Sequence, residues 1–441
     1  MSGHQLTAWI GSRRVGILRY FDESGLFAFD YDDEWSSSGT GYPVSPALPF
    51  ERPADLNDER HSVSVRRFFE NLLPEGKALD DAASVHRVSK ANLYGLLAAL
   101  GGETTGALSL LPEGISPSQV HDAKREVTYE ELHARIHDRA NQPFLVWDGK
   151  VRMSIAGYQD KLAVYIEEGR LYLVEGQLAS THILKPEPLS PNLPHLVANE
   201  HFCLRLAGEL GLLASPADIL RVPDPVLVVE RFDRHLRDDH VERIHVVDAC
   251  QCLDLSVSHK YERNFGSGRD VAHIREGMSI ERLFSISSDA LSSAAMRLGL
   301  LRWVLLQYLI GNSDAHGKNL SFFVEPGGLR LAPSYDLVSV CVYPKVDHEL
   351  AMAIGDEFTI SDIRAYDWAE LAVTCDLDRR LVAREILRMT KAVRKAVPSL
   401  QEWEGYSESE RGLVNEIAKF TLAQAALLEG VARQLPEVEL A

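Results

Sequence analysis

The segment that most restricts the fold is an apolar run, Leu298 to Ile310, that passes directly into Gly311-Asn312-Ser313-Asp314-Ala315-His316-Gly317-Lys318-Asn319. Arg302 and Gln307 alone interrupt its apolar character strongly, and the run is too short to cross a bilayer. A helix apolar around most of its circumference has to be buried. The polar loop that follows it is therefore anchored on the core, and its side chains are held rather than free.

Asp314 and Asn319 are five residues apart. That spacing matches the D-x-x-x-x-N of a protein-kinase catalytic loop, where Asp accepts the substrate hydroxyl's proton and Asn binds magnesium. Ser334-Tyr335-Asp336-Leu337 comes after two strand-like segments, Leu320 to Val324 and Leu329 to Ala332, and Asp336 stands seventeen residues beyond Asn319. A second magnesium ligand would fall there. Magnesium takes oxygen ligands, so one Asp, one Asn and triphosphate oxygens suit it. Either stretch alone is equally well read as an Asp/Asn-rich turn. Their order and spacing behind a buried helix favour a site.

Other residues extend this reading. Lys185 ends the apolar run His182-Ile183-Leu184 on a strand and would reach nucleotide phosphates; Glu200, fifteen residues on in the next helix, would pair with it. A Lys at a strand end and a Glu on a helix face are also ordinary surface features. Ser154-Ile155-Ala156-Gly157-Tyr158-Gln159-Asp160-Lys161 lies between two strand candidates, where a hairpin lays backbone N–H groups over phosphates. With one glycine it is neither G-x-G-x-x-G nor a P-loop, and by itself it is a turn. Glu230-Arg231-Phe232-Asp233 ends an apolar strand: Glu230 and Phe232 sit where a hinge offers backbone groups to adenine, and Asp233 where it would bond a ribose hydroxyl. Alone, this is a solvated strand end. The sixteen histidines show no HExxH or comparable metal spacing, and there is no G-x-S-x-G elbow.

The rest of the chain sorts by periodicity. Leu6 to Ile10, Val15 to Leu18 and Leu26 to Tyr31 read as strands, and Ser62 to Leu100 as helical. Thr128 and Glu131 have capping-box spacing. Arg152 to Ala156, Lys161 to Ile166, Leu171 to Val174, His182 to Leu184 and Val226 to Val229 read as strands, Pro194 to Leu212 as a long helix, and the chain after 275 as mainly helical apart from 311–344. The expected organisation is a small α/β unit over 1–112, a β-rich lobe over 113–235 and a mainly helical lobe over 236–441. Basic residues number 46 and acidic residues 64, a net charge of −18. That balance argues against gripping nucleic acid with the whole surface, leaving local patches such as Arg379 and Arg380. Five irregularly spaced cysteines read as buried free thiols in a reducing compartment. With no secretory pattern at the start and no membrane span, a soluble cytoplasmic protein is expected.

Taken together these motifs resemble the HipA family, the serine/threonine-kinase toxins of bacterial toxin–antitoxin modules. The resemblance runs over nearly the whole length. It includes Phe68-Phe69-Glu70-Asn71-Leu72-Leu73-Pro74, Gly106-Ala107-Leu108-Ser109-Leu110-Leu111-Pro112, the 154–161 and 181–185 segments, Val229 to Asp233, Asp314 to Asn319 and Tyr335-Asp336. It implies an α+β, two-lobed protein-kinase-like fold with an additional small N-terminal α/β subdomain. It implies ATP and magnesium as cofactors, with Asp314 as catalytic base and Asn319 and Asp336 as metal ligands. Lys185 and the loop Ala156, Gly157, Tyr158, Gln159, Asp160 and Lys161 would contact phosphates, and Glu230, Arg231, Phe232 and Asp233 would form the hinge. His316, Gly317, Lys318 and Tyr335 would line the nucleotide. Ordinary kinases carry Lys two residues after the catalytic Asp, whereas this chain has His316 there, so Lys318 or His316 would supply the charge. Tyr158 is bulkier than the small residue expected beside Gln159.

The resemblance further implies self-inactivation by autophosphorylation at Ser154, a small helix-turn-helix antitoxin of the HipB kind, and operator DNA reached through that antitoxin. It also implies a protein substrate in translation, such as glutamyl-tRNA synthetase, and no membrane. Two rival readings stand beside it: a catalytically silent kinase fold acting as co-repressor, and a kinase for lipids or other small molecules.

Overall fold

The computed structural model describes residues 3–152, 159–237 and 240–440. The chain is α+β and divides into two compact units, each discontinuous in sequence. The first comprises Met1–Pro186, Leu220–Val257 and Phe322–Arg330, and the second Glu187–Ile219, Ser258–Ser321 and Leu331–Ala441. The composition changes near 112 and 235 therefore mark neither unit's edge: 236–257 and 322–330 fold with the strands, and 187–219 with the helices.

In the first unit, a four-stranded antiparallel sheet has the order Leu26–Tyr31, Arg13–Phe21, Gly3–Ile10, Leu108–Pro112. The helix Asp58–Glu70 lies on it, with the Phe29 and Phe69 rings 5.5 Å apart and Ser62 Oγ accepting the Phe27 N–H at 2.8 Å. Helices Gly76–His86 and Leu93–Leu100 complete the helical stretch read from 62 to 100. A six-stranded sheet has the order Ala217–Arg221, Pro225–Glu230, His182–Pro186, Leu162–Glu167, Arg170–Glu175, Ala123–Val127. Its core packs Leu162, Val164, Leu184 and Val226 against Leu132 and Ile136 of the helix Tyr129–His137. The cap of that helix is only half the expected box. Thr128 accepts the Glu131 N–H at 3.2 Å, while the Glu131 carboxylate turns to Arg125. An ion-pair partner competes successfully for the Glu.

In the second unit the helix Ser293–Ile310 is buried on every side from Trp303 to Ile310, as its apolar run demands. Around it lie Leu196–Glu209, Ala365–Thr374, Arg379–Gln401 and Glu408–Gln434. The helix expected over 194–212 is shorter, because His195 at its start adopts a left-handed conformation and the helix ends at Glu209. A hairpin, Glu349–Ile354 with Glu357–Thr359, interrupts the region read as helical. Four of the five cysteines are buried, and Cys341 is partly exposed. Among the described residues no helix is long and apolar enough to cross a membrane.

Candidate active site

Gly311 sets up the loop. It ends the helix Ser293–Ile310 at φ 67°, a left-handed conformation that glycine adopts without strain. A Cβ there would lie 2.5 Å from the Phe420 ring and 3.0 Å from Cys341 Cβ. The Gly311 carbonyl accepts the N–H groups of both Val340 and Cys341 at 3.0 Å. The chain just beyond Asp336 is thus stitched to the same residue that launches the Asp314 loop. Asn199 reinforces it, accepting the Ser339 N–H at 2.8 Å and donating to the Ser339 carbonyl at 3.0 Å.

Within 311–320 every residue is buried except Asp314. Its backbone is fixed on three sides: Asn312 Oδ1 accepts the Asp314 N–H at 3.2 Å, and the Asp314 carbonyl accepts the His316 N–H at 2.9 Å and the Asn319 side-chain N–H at 3.1 Å. A carboxylate held out to solvent by a buried, hydrogen-bonded loop is what a proton acceptor for an incoming hydroxyl requires. Tyr261 donates its hydroxyl to Asp314 Oδ1 at 2.6 Å, and its ring meets that of His316 edge-on with centroids 5.0 Å apart. Sequence reading missed Tyr261, and also Lys260, whose carbonyl accepts the Gly317 N–H at 2.9 Å. They lie far upstream with no motif spacing. The hairpin strand brings them in: Ala351 donates its N–H to Ser313 and accepts that of Glu262, each at 2.9 Å.

His316 is buried, and burial, with Lys260 and Lys318 nearby, holds its pKa well below the usual value despite the opposing Asp336 charge. It is therefore neutral at pH 7, with Nδ1 accepting the Lys318 N–H at 3.3 Å. Tyr335 fastens the two halves of the site, donating to the Lys318 carbonyl at 2.6 Å and meeting Ser321 Oγ at 2.8 Å. Asp336 is half-buried at φ 56°, an uncommon conformation for a residue with a side chain. The Asn319 amide nitrogen is directed at the Asp314 carbonyl, so its amide oxygen is the acceptor that remains. That oxygen and the Asp336 carboxylate are hard donors suited to magnesium.

Lys185, Gln159, Asp160 and Glu230 to Asp233 lie in the first unit. Lys185 is buried on His182–Pro186, opposite Leu227. Gln159 donates to the Pro186 carbonyl at 3.2 Å, and Asp160 meets the buried Arg139 at 3.3 Å. Ser154, Ala156, Gly157 and Tyr158 lie outside the described residues, as does most of the strand expected over 152–156. Glu230 closes the strand Pro225–Glu230. Glu230 to Asp233 is no solvated strand end, because Arg231 and Asp233 are buried. Asp233 accepts from Arg231 Nε and Nη2, Arg234 Nη1 and the Gly106 N–H, all at 2.8–2.9 Å. Three of these donors meet Oδ2 and one meets Oδ1, so the carboxylate is tied into an internal ion-pair network. Burial alone would raise the Asp233 pKa, but Arg231 and Arg234 outweigh it and hold it well below the ordinary range. Glu200 is buried on the helix Leu196–Glu209 of the second unit, and Arg379 donates to the Val438 carbonyl.

Comparison with known proteins covers most of the chain. The family model for the HipA-like C-terminal domain matches residues 153–397, and that for the HipA N-terminal domain matches residues 6–111. A serine/threonine-protein kinase toxin HipA of Shewanella oneidensis is 40% identical over 391 residues, covering 88% of this chain and 87% of that protein. A putative kinase Y4mE of Sinorhizobium fredii is 32% identical over 435 residues, covering 97% and 99%. The solved complex of HipA and HipB with operator DNA from Shewanella oneidensis MR-1 contains a chain that superposes with a TM-score of 0.87 at 38% identity, over 99% of this chain and all of that one. This chain belongs to the HipA family and is a serine/threonine-protein kinase.

Proposed function

We propose that the chain is an ATP- and magnesium-dependent toxin kinase whose catalytic base is Asp314. The observation that carries this reading is the exposure of Asp314 alone in an otherwise buried loop. Asp314 orients a seryl hydroxyl and receives its proton, while Lys318, beside neutral His316, contributes positive charge toward the transferred group. Asn319 and Asp336 would hold magnesium, which when bound neutralises phosphate charge. Lys185 and the 156–161 loop hold the nucleotide phosphates, and the backbone of Glu230 to Phe232 serves the base. Arg231 and Asp233 act there through their backbone and as an internal ion pair.

The toxin acts in a toxin–antitoxin module, with a HipB-like helix-turn-helix antitoxin as its partner and operator DNA reached through that complex. The solved relative assembled with HipB and operator DNA supports this partner class, and the acidic balance of −18 fits a division in which the antitoxin binds most of the phosphate. The acceptor protein is a translation component, glutamyl-tRNA synthetase being the one to try first, and phosphorylation of Ser154 shuts the enzyme off. A phosphate there places a charge of about −1.5 to −2 beside ATP, which would repel it.

The test is transfer from labelled ATP to purified glutamyl-tRNA synthetase, with and without magnesium, by wild type and Asp336→Asn. Labelled synthetase only with magnesium and wild type supports the reading. An unlabelled synthetase with vigorous labelling of another translation protein moves the substrate, and ATP binding without transfer to any protein points to a silent co-repressor.

A further inference from the structure

We propose that His133, His137 and Asp224 form a binding site for a divalent transition-metal ion of the zinc class, unrelated to the magnesium ligands of the kinase reaction. His133 and His137 are one turn apart on the helix Tyr129–His137, so they share a face. The adjoining positions Leu132 and Ile136 are buried in the core of the six-stranded sheet, which fixes the rotation of that helix. Asp224 stands in the turn between strands Ala217–Arg221 and Pro225–Glu230, and its neighbours Val222 and Val226 are buried in the same core. One packed core thus positions both halves of the cluster.

The side chains have already converged. His133 Nδ1 is 2.7 Å and His137 Nε2 3.2 Å from the same oxygen, Asp224 Oδ2. All three potential ligand atoms lie within 4.8 Å of one another. Tetrahedral zinc with bonds of about 2.0–2.2 Å spaces its ligand atoms about 3.3 Å apart. The triangle accepts that geometry with small ring rotations and no backbone movement. Two imidazoles and one carboxylate suit zinc, cobalt or nickel better than magnesium or calcium, which prefer all-oxygen shells. The cluster is partly exposed, so water can complete the coordination.

A second cluster, Glu187 with His195 and Glu410, lacks this availability. Glu187 accepts the Leu196 and Val197 N–H groups, and Glu410 accepts the Ser407 N–H, so both carboxylates serve helix ends. A metal at His133, His137 and Asp224 would tie the helix Tyr129–His137 to the turn that precedes the strand Pro225–Glu230, bracing the six-stranded sheet.

The experiment uses the full chain, stripped with chelator, titrated with zinc sulfate and followed by thermal unfolding; cobalt absorption is read in parallel. At free zinc a hundredfold above its dissociation constant the unfolding constant should fall about a hundredfold, with a clear rise in Tm. His137→Gln, at an exposed helix end, should keep the metal-free Tm and lose both the zinc shift and the cobalt spectrum, and Asp224→Asn should lose both as well. No zinc-dependent shift in wild type, or a shift of equal size in His137→Gln, would overturn the proposal.

Discussion

At the residue scale the proposed chemistry rests on one exposed carboxylate and its fastenings. Asp314→Ala should reduce phosphoryl transfer by about 10²–10⁴-fold, the usual worth of a positioned base. Its Tm should stay near wild type, since an exposed side chain contributes little packing. Full activity in that variant would remove Asp314 from its role. Tyr261→Phe tests the fastening: it deletes the hydroxyl that donates to Asp314 Oδ1 at 2.6 Å. A hydrogen bond to a charged group contributes on the order of 1.5 kcal/mol, so kcat should fall about tenfold with KM unchanged. Equal kcat would make that bond incidental. Asp314, Asn319 and Asp336 could be singled out as candidates because their spacing is local and chemical. Tyr261 was not, because it lies 53 residues from Asp314 and only tertiary folding unites them. The burial of Asp233 was not legible, because a carboxylate at a strand end looks solvated until its Arg partners are placed around it.

At the element scale, anchoring matters more than propensity. Gly311 ends a buried helix, holds two N–H groups on its carbonyl and leaves no room for a Cβ beside Phe420. Gly311→Ala should cost about 1–2 kcal/mol from the left-handed backbone alone, and the steric conflict adds to it. Thermal unfolding measures the loss, and because the same residue supports the Asp314 and Asp336 segments, transfer should fall with it. A stable, fully active variant would contradict this. Strands with alternating burial, such as Leu26–Tyr31, were readable from period two. Glu349–Ile354 was not, because it is buried continuously from Leu350 onward, and a short apolar run of that kind reads as helix or strand alike.

At the scale of the whole molecule, the two units are interleaved along the chain, which no local pattern announces; composition marks where the character of the chain changes, not which segments pack together. The first unit should be acid-sensitive. His245 is buried with its pKa pushed down to about 4 by burial, against a partial counter-effect from its bond to the Val44 carbonyl. The unfolded chain binds that proton near pH 6.5 and the folded chain does not, so stability falls as pH drops through 6.5, by about 3 kcal/mol at pH 4. Asp233, held below the ordinary carboxylate range, contributes stability present above about pH 4 and lost as pH falls further. Urea midpoints between pH 8 and 4 should decline below pH 6.5, and a flat profile would contradict the assignment for His245. The measurement that bears most directly on the kinase reading is phosphopeptide mass spectrometry of the pure protein after incubation with ATP and magnesium, beside Asp314→Ala. A phosphoryl group on Ser154 in wild type and about a hundredfold or more slower labelling in the variant is the predicted result; equal phosphorylation of both would contradict Asp314 as the base.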